Sequence, residues 1–383
     1  MVISAPRISV KPISTAAEFE QFLDVPARVY ADDPNWVPPI RADVAKQFQP
    51  SNPFFEYGRL QQFVAYQDQQ PVGRIVAAVN DRLIEREGKN IGLFGFFECV
   101  ENLATEDPAV APHLFEAASQ WLKEQGMSTI RGPIDLSTHN NCLWLVDGFD
   151  SPPYMMMPYN PPYYSQCIEK AGFHKAKDAY AYSFELSPSL LQKFEKAYQI
   201  ALKSGITFRP VATKGEAFEQ DCRDLYRLFT QAFSNNWSST PRTEDEFLEE
   251  AQDLKMIVDP DIFPIAEYEG EMVGFFMGLP NYNQVFKHLN GKLNWLGILK
   301  FLWYRRTINE ARMIALCALP EHQRKMVAPA LVYLVHQNGT GPSKRYERAE
   351  LSWIYEDNMP SRKITEASGG KIYKTYRIYE KAL

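Results

Sequence analysis

Residues 311–331 read Ala311-Arg-Met-Ile-Ala-Leu-Cys-Ala-Leu-Pro-Glu-His-Gln-Arg-Lys-Met-Val-Ala-Pro-Ala-Leu331. The run to Ala318 is an apolar strand, the residues around Gln323 to Lys325 form a polar, basic loop, and a helix starts at Val327. Taken alone, the stretch is a strand, a solvated basic turn and a helix.

Elements on either side extend this into a mixed α/β half. The pattern predicts strand 206–211, helices 216–233 and 243–256, and a hairpin over 262–279 before a helical region at 284–304. After the strand at 311–318 and the helix at 327–338 come strand 347–355, helix 359–368 and strand 371–380. Residues before 186 repeat the plan with strand 7–12, helices 16–30 and 41–48, hairpin 60–80, strand 91–98, helix 110–126, strand 128–134, helix 162–171 and strand 174–185.

Two pairs of segments identify a duplication. Phe63-Val-Ala-Tyr and Val72-Gly-Arg-Ile-Val-Ala-Ala-Val79 flank a turn, as do Phe263-Pro-Ile-Ala-Glu-Tyr and Met272-Val-Gly-Phe-Phe-Met-Gly-Leu279. At the far ends, Cys167 to Phe173 precedes an aromatic strand just as Ile364 to Gly370 does, each a helix stopped by glycine. Similarity at both ends of both halves implies duplicated domains, 1–186 and 205–383. Between them, 187–204 carries Leu190, Leu191, Phe194, Tyr198 and Leu202 at helical spacing, an amphipathic linker that braces the halves.

Two segments do not follow the repeat. Within 135–161, Met155-Met-Met-Pro-Tyr-Asn-Pro-Pro-Tyr-Tyr164 joins apolar side chains to proline restrictions, which suits either a pocket wall or a rigid crossover. The helical insertion 284–304 carries Leu293-Asn-Trp-Leu-Gly-Ile-Leu-Lys-Phe-Leu-Trp303, a surface for core packing, a substrate lid or contact with a bilayer.

Composition narrows the function. Lys plus Arg number 41 against 47 Asp plus Glu, a net charge of −6, which disfavours nucleic acid as the main partner. Five widely spaced cysteines and six histidines include no C-x-x-C or H-E-x-x-H spacing, so free thiols and no metal site are expected. No apolar run approaches a membrane span and the first residues lack a leader pattern; a cytoplasmic protein is the expectation.

At 311–331 the chain resembles the Gcn5-related (GNAT) acyltransferase superfamily, specifically bacterial proteins with two such domains in tandem. That family's loop carries Gln or Arg, two variable residues, Gly, one variable residue, then Gly or Ala. Gln323 and Ala328 match this pattern, and Met326 stands where Gly is expected. The resemblance implies an α/β fold, two GNAT-like domains each with a mixed, mostly antiparallel sheet flanked by helices. It also implies that acetyl-coenzyme A or another acyl-coenzyme A binds the carboxy-terminal domain through Ala318, Leu319, Gln323, Arg324, Lys325, Met326, Val327 and Ala328, with Asn358 at the next helix start.

The chemistry implied is direct attack of a small-molecule or peptide amine on the thioester, with acetyl transfer as the default. A backbone N–H at Cys317 or Ala318 is the oxyanion candidate, and Glu350 and Glu356 are the candidate bases. Thr365 occupies the position of the family's tyrosine acid, as does Ile168 in the first half. The segment from Val100 to Asp107 lacks the glycine-bearing loop, so the first domain is expected to be degenerate and to wall the substrate site. The competing reading is a noncatalytic ligand-binding or interaction module on the same scaffold, with the apolar insertion as an oligomer contact.

Overall fold

The structure, a computed structural model, describes residues 8–101, 110–186, 188–233, 236–341 and 346–383. The expectation for the loop after Val100 therefore lies largely outside the described residues, as does the side chain of Leu190.

The first half runs β1 (Ile8–Pro12), α1 (Ala16–Val29), α2 (Arg41–Lys46), α3 (Phe54–Tyr57), β2 (Gly58–Gln67), β3 (Gln70–Asn80), α4 (Asp81–Glu87), β4 (Ile91–Cys99), α5 (Val110–Glu124), β5 (Thr129–Gly132), β6 (Trp144–Asp147), α6 (Tyr163–Lys170) and β7 (His174–Glu185). The second runs α7 (Pro188–Lys203), β8 (Ile206–Pro210), α8 (Gly215–Phe233), α9 (Glu244–Leu254), β9 (Pro264–Tyr268), β10 (Glu271–Pro280), α10 (Asn283–Phe286), α11 (Trp295–Tyr304), β11 (Glu310–Ala318), α12 (Val327–Gly339), β12 (Arg348–Tyr355), α13 (Met359–Ala367) and β13 (Lys371–Ala382).

Local chemistry sets many of these boundaries. Thr15 and Glu18 form a reciprocal capping box at the start of α1, and Thr243 with Glu246 repeats it at α9. Gly172 after α6 and Gly205 after α7 take φ values of 83°, the left-handed turn that ends a helix. The expected helical region 284–304 is two helices, because Asn290 and Gly291 both adopt positive φ and interrupt it. The sequence reading also misses α3, α4 and β6, elements of four to seven residues that are too short for periodicity to register.

Among the described residues the strands form one sheet in the order β1-β2-β3-β4-β5-β13-β7-β12-β11-β10-β9-β8, with β6 beside β13. Pairing is antiparallel except between β4 and β5 and between β11 and β12. The halves exchange their last strands: β13 lies against β5 of the first half, and β7 against β12 of the second. The two exchanged strands pair with each other at the centre. No local feature of a strand names so distant a partner.

The duplication is visible in packing as well as in order. A Cβ on Gly73 would lie 2.9 Å from Val110 at the start of α5 and 3.1 Å from the Glu98 carbonyl. On Gly274 it would lie 2.9 Å from Val327 at the start of α12 and 2.8 Å from the Cys317 carbonyl. Each glycine lets a helix start seat against its hairpin, so Val110 corresponds to Val327 and Glu98 to Cys317. One sheet face carries α5 and α12, with α7 packed on α12 through stacked Tyr198 and Tyr333 at 4.9 Å. The other carries α1 and α8.

Candidate active site

Each half opens a notch where its two parallel strands part. β4 and β5 pair only from Ile91 to Leu93, and β11 and β12 only from Glu310 to Met313. The first half fills its notch with its own chain: Ile134 N–H donates to the Phe94 carbonyl at 2.8 Å, and the Phe96 amide donates to Asp135 Oδ1 at 2.6 Å. The second half keeps its notch open. From Ile314 to Ala318, β11 has β10 on one side and, among the described residues, no ladder on the other, so alternate backbone N–H groups face the gap.

A cavity of about 680 Å³ lies on the α1 and α8 face and is shared by both halves. Its second-half wall is Ile314 and Ala315 of β11, Trp353 and Tyr355 of β12, and the apolar side of α8 through Phe218, Leu225 and Phe229. The first half contributes Trp36, Pro38, Pro39 and Phe96, together with Met156, Met157, Pro158 and Tyr159. The proline- and methionine-rich segment thus forms part of the pocket wall. A binding cavity of this size, roughly 300–1,000 Å³, takes a ligand far larger than an acetyl group.

Its chief polar feature is a cluster in the first half. Glu98 accepts from the hydroxyls of Tyr30 and Tyr164, each at 2.8 Å, and faces Arg74 across the β3–β4 pair. Burial pushes the Glu98 carboxyl up to about 7, against the opposing pull of Arg74 and the two hydroxyls. Asp135 is likewise raised by burial, to about 6, with the Phe96 amide working against the rise. Arg74 is buried, lies 4.8 Å from the Phe22 ring centroid and donates to the Phe22 carbonyl, and its Nε has no hydrogen-bond partner among the described residues. His139, also in the wall, bonds the Thr240 carbonyl through Nε2 at 2.7 Å; burial and then Arg242 hold it down to about 4.

A second, apolar pocket of about 70 Å³ lies on the opposite face of the same strands. Met313 and Leu316 of β11, Leu351 of β12, Val332 and Val335 of α12, and Ile364 and Thr365 of α13 line it. Because side chains alternate along a strand, the two spaces lie on opposite faces of the sheet, with the notch between β11 and β12 separating them.

Ala318, Leu319, Gln323, Arg324, Lys325, Met326, Val327 and Ala328 form one continuous turn from β11 into α12. Met326 takes φ 60° and ψ 31°, the left-handed conformation that a glycine adopts without strain, and its side chain is 39% exposed. No side chain caps α12, so its first-turn amides remain available to an anion. Lys325 Nζ sits over the Tyr268 ring at 2.9 Å, and Gln323 and Arg324 are exposed. These donors and cations suit a pyrophosphate.

The other expected residues fall elsewhere. Glu350 is 0% exposed and lines neither space; Ser352 Oγ donates to it at 2.5 Å and Tyr373 donates from the other side. Burial raises its carboxyl, opposed by Arg312, whose Nε is 4.0 Å away. Glu356 pairs with Lys175 at 2.7 Å and accepts the Asp178 amide, tying β12 to β7. Both carboxylates hold the sheet together; neither points into the cavity. The Cys317 side chain is buried beside Leu228, with burial pushing its thiol up to about 11. Asn358 caps α13 through the Ser361 amide at 3.3 Å. Thr365 bonds the Ser361 carbonyl.

The sequence reading passed over Arg74 and Glu98. Their signal was a single charge in each of two apolar strands, Val72 to Val79 and Ile91 to Cys99, because an ionic side chain in a buried strand needs a partner or a task.

Residues 222–369 match the family described as Acetyltransferase (GNAT) family. The bacterial ceramide synthase of Caulobacter vibrioides (strain NA1000 / CB15N) is 34% identical over 383 residues, covering 98% of this chain and 98% of its own. Protein YghO of Escherichia coli (strain K12) is 32% identical over 370 residues, covering 96% and 93%. Among solved structures, a tandem GNAT protein from the clavulanic acid biosynthesis pathway has TM-score 0.55 and 11% identity over 98% of both chains. A GCN5-related N-acetyltransferase from Sphaerobacter thermophilus has TM-score 0.53 and 12% identity, covering 98% of this chain and 95% of its own. The likeness to these two structures concerns the fold.

Proposed function

The chain belongs to the acyl-coenzyme A-dependent acyltransferases of the GNAT superfamily, and from that premise we propose that it joins a long acyl chain to the amino group of an amphipathic, lipid-like acceptor. One observation carries the reading. The cavity of about 680 Å³ is walled largely by aliphatic and aromatic side chains and holds buried Arg74, Glu98 and Asp135 together in one part of its wall, with further polar groups such as Arg242, Glu250 and Lys255 elsewhere, a lining that suits an amphipathic ligand. A relative 34% identical bears the name ceramide synthase, and a ceramide is a long-chain amino alcohol acylated on nitrogen.

Acyl-coenzyme A supplies an activated thioester. The turn from Ala318 to Met326 and the first amides of α12, at Val327 and Ala328, are the residues to hold its pyrophosphate, with Arg324 and Lys325 adding positive charge. The apolar pocket between α12 and α13 suits the arm that leads to the notch. The acceptor nitrogen attacks the carbonyl carbon, a C–N bond forms as the C–S bond breaks, and the proton lost by nitrogen ends on the departing thiol. Leu319 N–H donates to the Val273 carbonyl of β10, so by alternation Cys317 N–H is also turned to β10, and it is the N–H groups of Leu316 and Ala318, facing the gap, that stabilise the charge on the carbonyl oxygen.

Glu98 takes the amine proton, directly or through water, because it lines the acceptor space and its carboxyl is held near neutrality. The test is turnover of palmitoyl-coenzyme A with sphinganine, read as amide by mass spectrometry beside acetyl-coenzyme A with the same amine. The long donor should exceed acetyl by about tenfold or more in kcat/KM. Folded protein that forms no long-chain amide, or that prefers acetyl, rejects the proposal.

A further inference from the structure

Helix α11 turns its most apolar side to solvent. Trp295, Leu296, Ile298, Leu299, Leu302 and Trp303 are all exposed, the two tryptophans by 69% each. They fall at i, i+1, i+3, i+4, i+7 and i+8, which is one face of a helix. The opposite face is held to the protein: Gly297 is buried, Phe301 stacks on Tyr282 at 5.5 Å, and Tyr304 stacks on His288 at 3.9 Å. The exposed face is therefore fixed in place.

Charge identifies what covers it. Between Glu271 and Glu310 there is no acidic residue, and the segment holds Lys287, Lys292, Lys300, Arg305 and Arg306 in a chain whose net charge is −6. Lys292, Lys300, Arg305 and Arg306 are exposed around the apolar face. Aromatic rings at both ends of a short apolar face, bordered by cations, match the boundary between anionic headgroups and acyl chains. No helix among the described residues is long and apolar enough to cross a membrane, so this contact lies in the plane of one leaflet.

Position adds a second argument. Asn283 and Phe286 of α10, against which α11 packs, line the large cavity, as do Pro38 and Pro39. The Arg41 amide donates to the Gly291 carbonyl at 3.1 Å, joining the α10–α11 connection to that proline wall. We propose that α11 docks the protein on the surface of an anionic phospholipid bilayer, with the cavity wall of α10 beside the leaflet. The proposal stands apart from acyl transfer, since vesicle binding is measured without either substrate.

The experiment is flotation of the full chain with vesicles of phosphatidylcholine alone and of equal parts phosphatidylcholine and phosphatidylglycerol. The chain should float with the anionic vesicles at least about tenfold more than with the neutral ones, and the difference should shrink as salt is added. Leu299→Glu and the pair Trp295→Ala with Trp303→Ala should cut binding about tenfold with melting temperature unchanged, because these side chains are exposed. Wild-type chain left in the vesicle-free fraction overturns the proposal. Equal binding by the folded variants does so too, as does a wild-type dimer that Leu299→Glu dissociates and that ignores vesicles, the result expected if a second copy covers the helix.

Discussion

Arg74 and Glu98 are directly opposed on β3 and β4, at the register position where β10 and β11 oppose Phe275 and Cys317. One duplicated frame thus carries a buried cation and carboxylate in one half and an apolar pair in the other. The charged half has closed its notch with Asp135, and the apolar half has kept its notch open beside an uncapped helix start. On the proposed reading the halves divide the work, donor on one side and acceptor head on the other, across a cavity that both line.

If Glu98 accepts the amine proton, kcat/KM should rise with pH through about 7, where its raised carboxyl ionises. Glu98→Gln should remove that limb and cost about 10²–10⁴-fold in rate. Stability gives an independent readout. The folded group keeps a proton that the unfolded one has lost between its ordinary value of 4.5 and about 7, so wild-type stability relative to Glu98→Gln should fall as pH rises across that window. The slope is at most about 1.4 kcal/mol per pH unit. Comparison with the variant is required because His139, held down to about 4, tilts the wild-type curve the other way between there and its ordinary 6.5.

Met326 occupies a glycine conformation at the point where the donor's pyrophosphate is proposed to sit. Met326→Gly should raise stability by about 0.5–1 kcal/mol by relieving the left-handed backbone, the larger freedom of unfolded glycine offsetting part of the gain. Affinity for acyl-coenzyme A should hold or tighten, because glycine adopts the same backbone turn and removes side-chain bulk beside the helix start. Met326→Val places a β-branched residue at φ 60° and should lower stability by about 1 kcal/mol or more and weaken binding. Chemical denaturation and calorimetry check both.

Periodicity, caps and glycine stops made most elements legible, and the duplicated hairpins made the tandem order legible. Strand exchange was not, because the alternation in Lys371 to Tyr379 specifies a two-sided strand and says nothing of which sheet receives it. The turn from β11 into α12, the proposed donor site, was readable as a local unit because its residues are contiguous. The proposed acceptor side was not: Glu350 and Glu356 sit near the notch strand in sequence, but Glu350 is drawn into the Arg312, Ser352 and Tyr373 network and Glu356 out to Lys175. Glu98 reaches the cavity from the other half of the chain, a proximity that only folding creates.

Glu350 tests the difference between holding and reacting. Arg312 donates to Ser352 Oγ at 2.9 Å and to the Met155 carbonyl at 2.9 Å, so the network fastens the notch to the cavity-lining segment. Glu350→Ala leaves a buried guanidinium without its counter-charge and should cost about 3–5 kcal/mol. Glu350→Gln keeps most of the hydrogen bonds and should cost less, with activity per folded molecule within about threefold of wild type, well short of the loss expected for a proton acceptor. Thermal melts with turnover normalised to folded protein separate these outcomes. A folded Glu350→Gln chain that is inactive would return the base role to Glu350.

Ala315 stands where β11 borders both the notch and the large cavity, and its small side chain occupies little of that space. Ala315→Phe should fill that space from a half-buried position that tolerates added bulk better than the packed core. Long-chain substrates need the volume and short ones do not, so the variant should lose about tenfold or more in kcat/KM with palmitoyl-coenzyme A or sphinganine and retain activity with short analogues. A series of donors and amines of increasing chain length shows which partner lies against Ala315: the one whose length dependence changes is the occupant. A uniform loss across every length would mean that the substitution disturbs the notch itself, and the assignment of this wall to a substrate chain would fall.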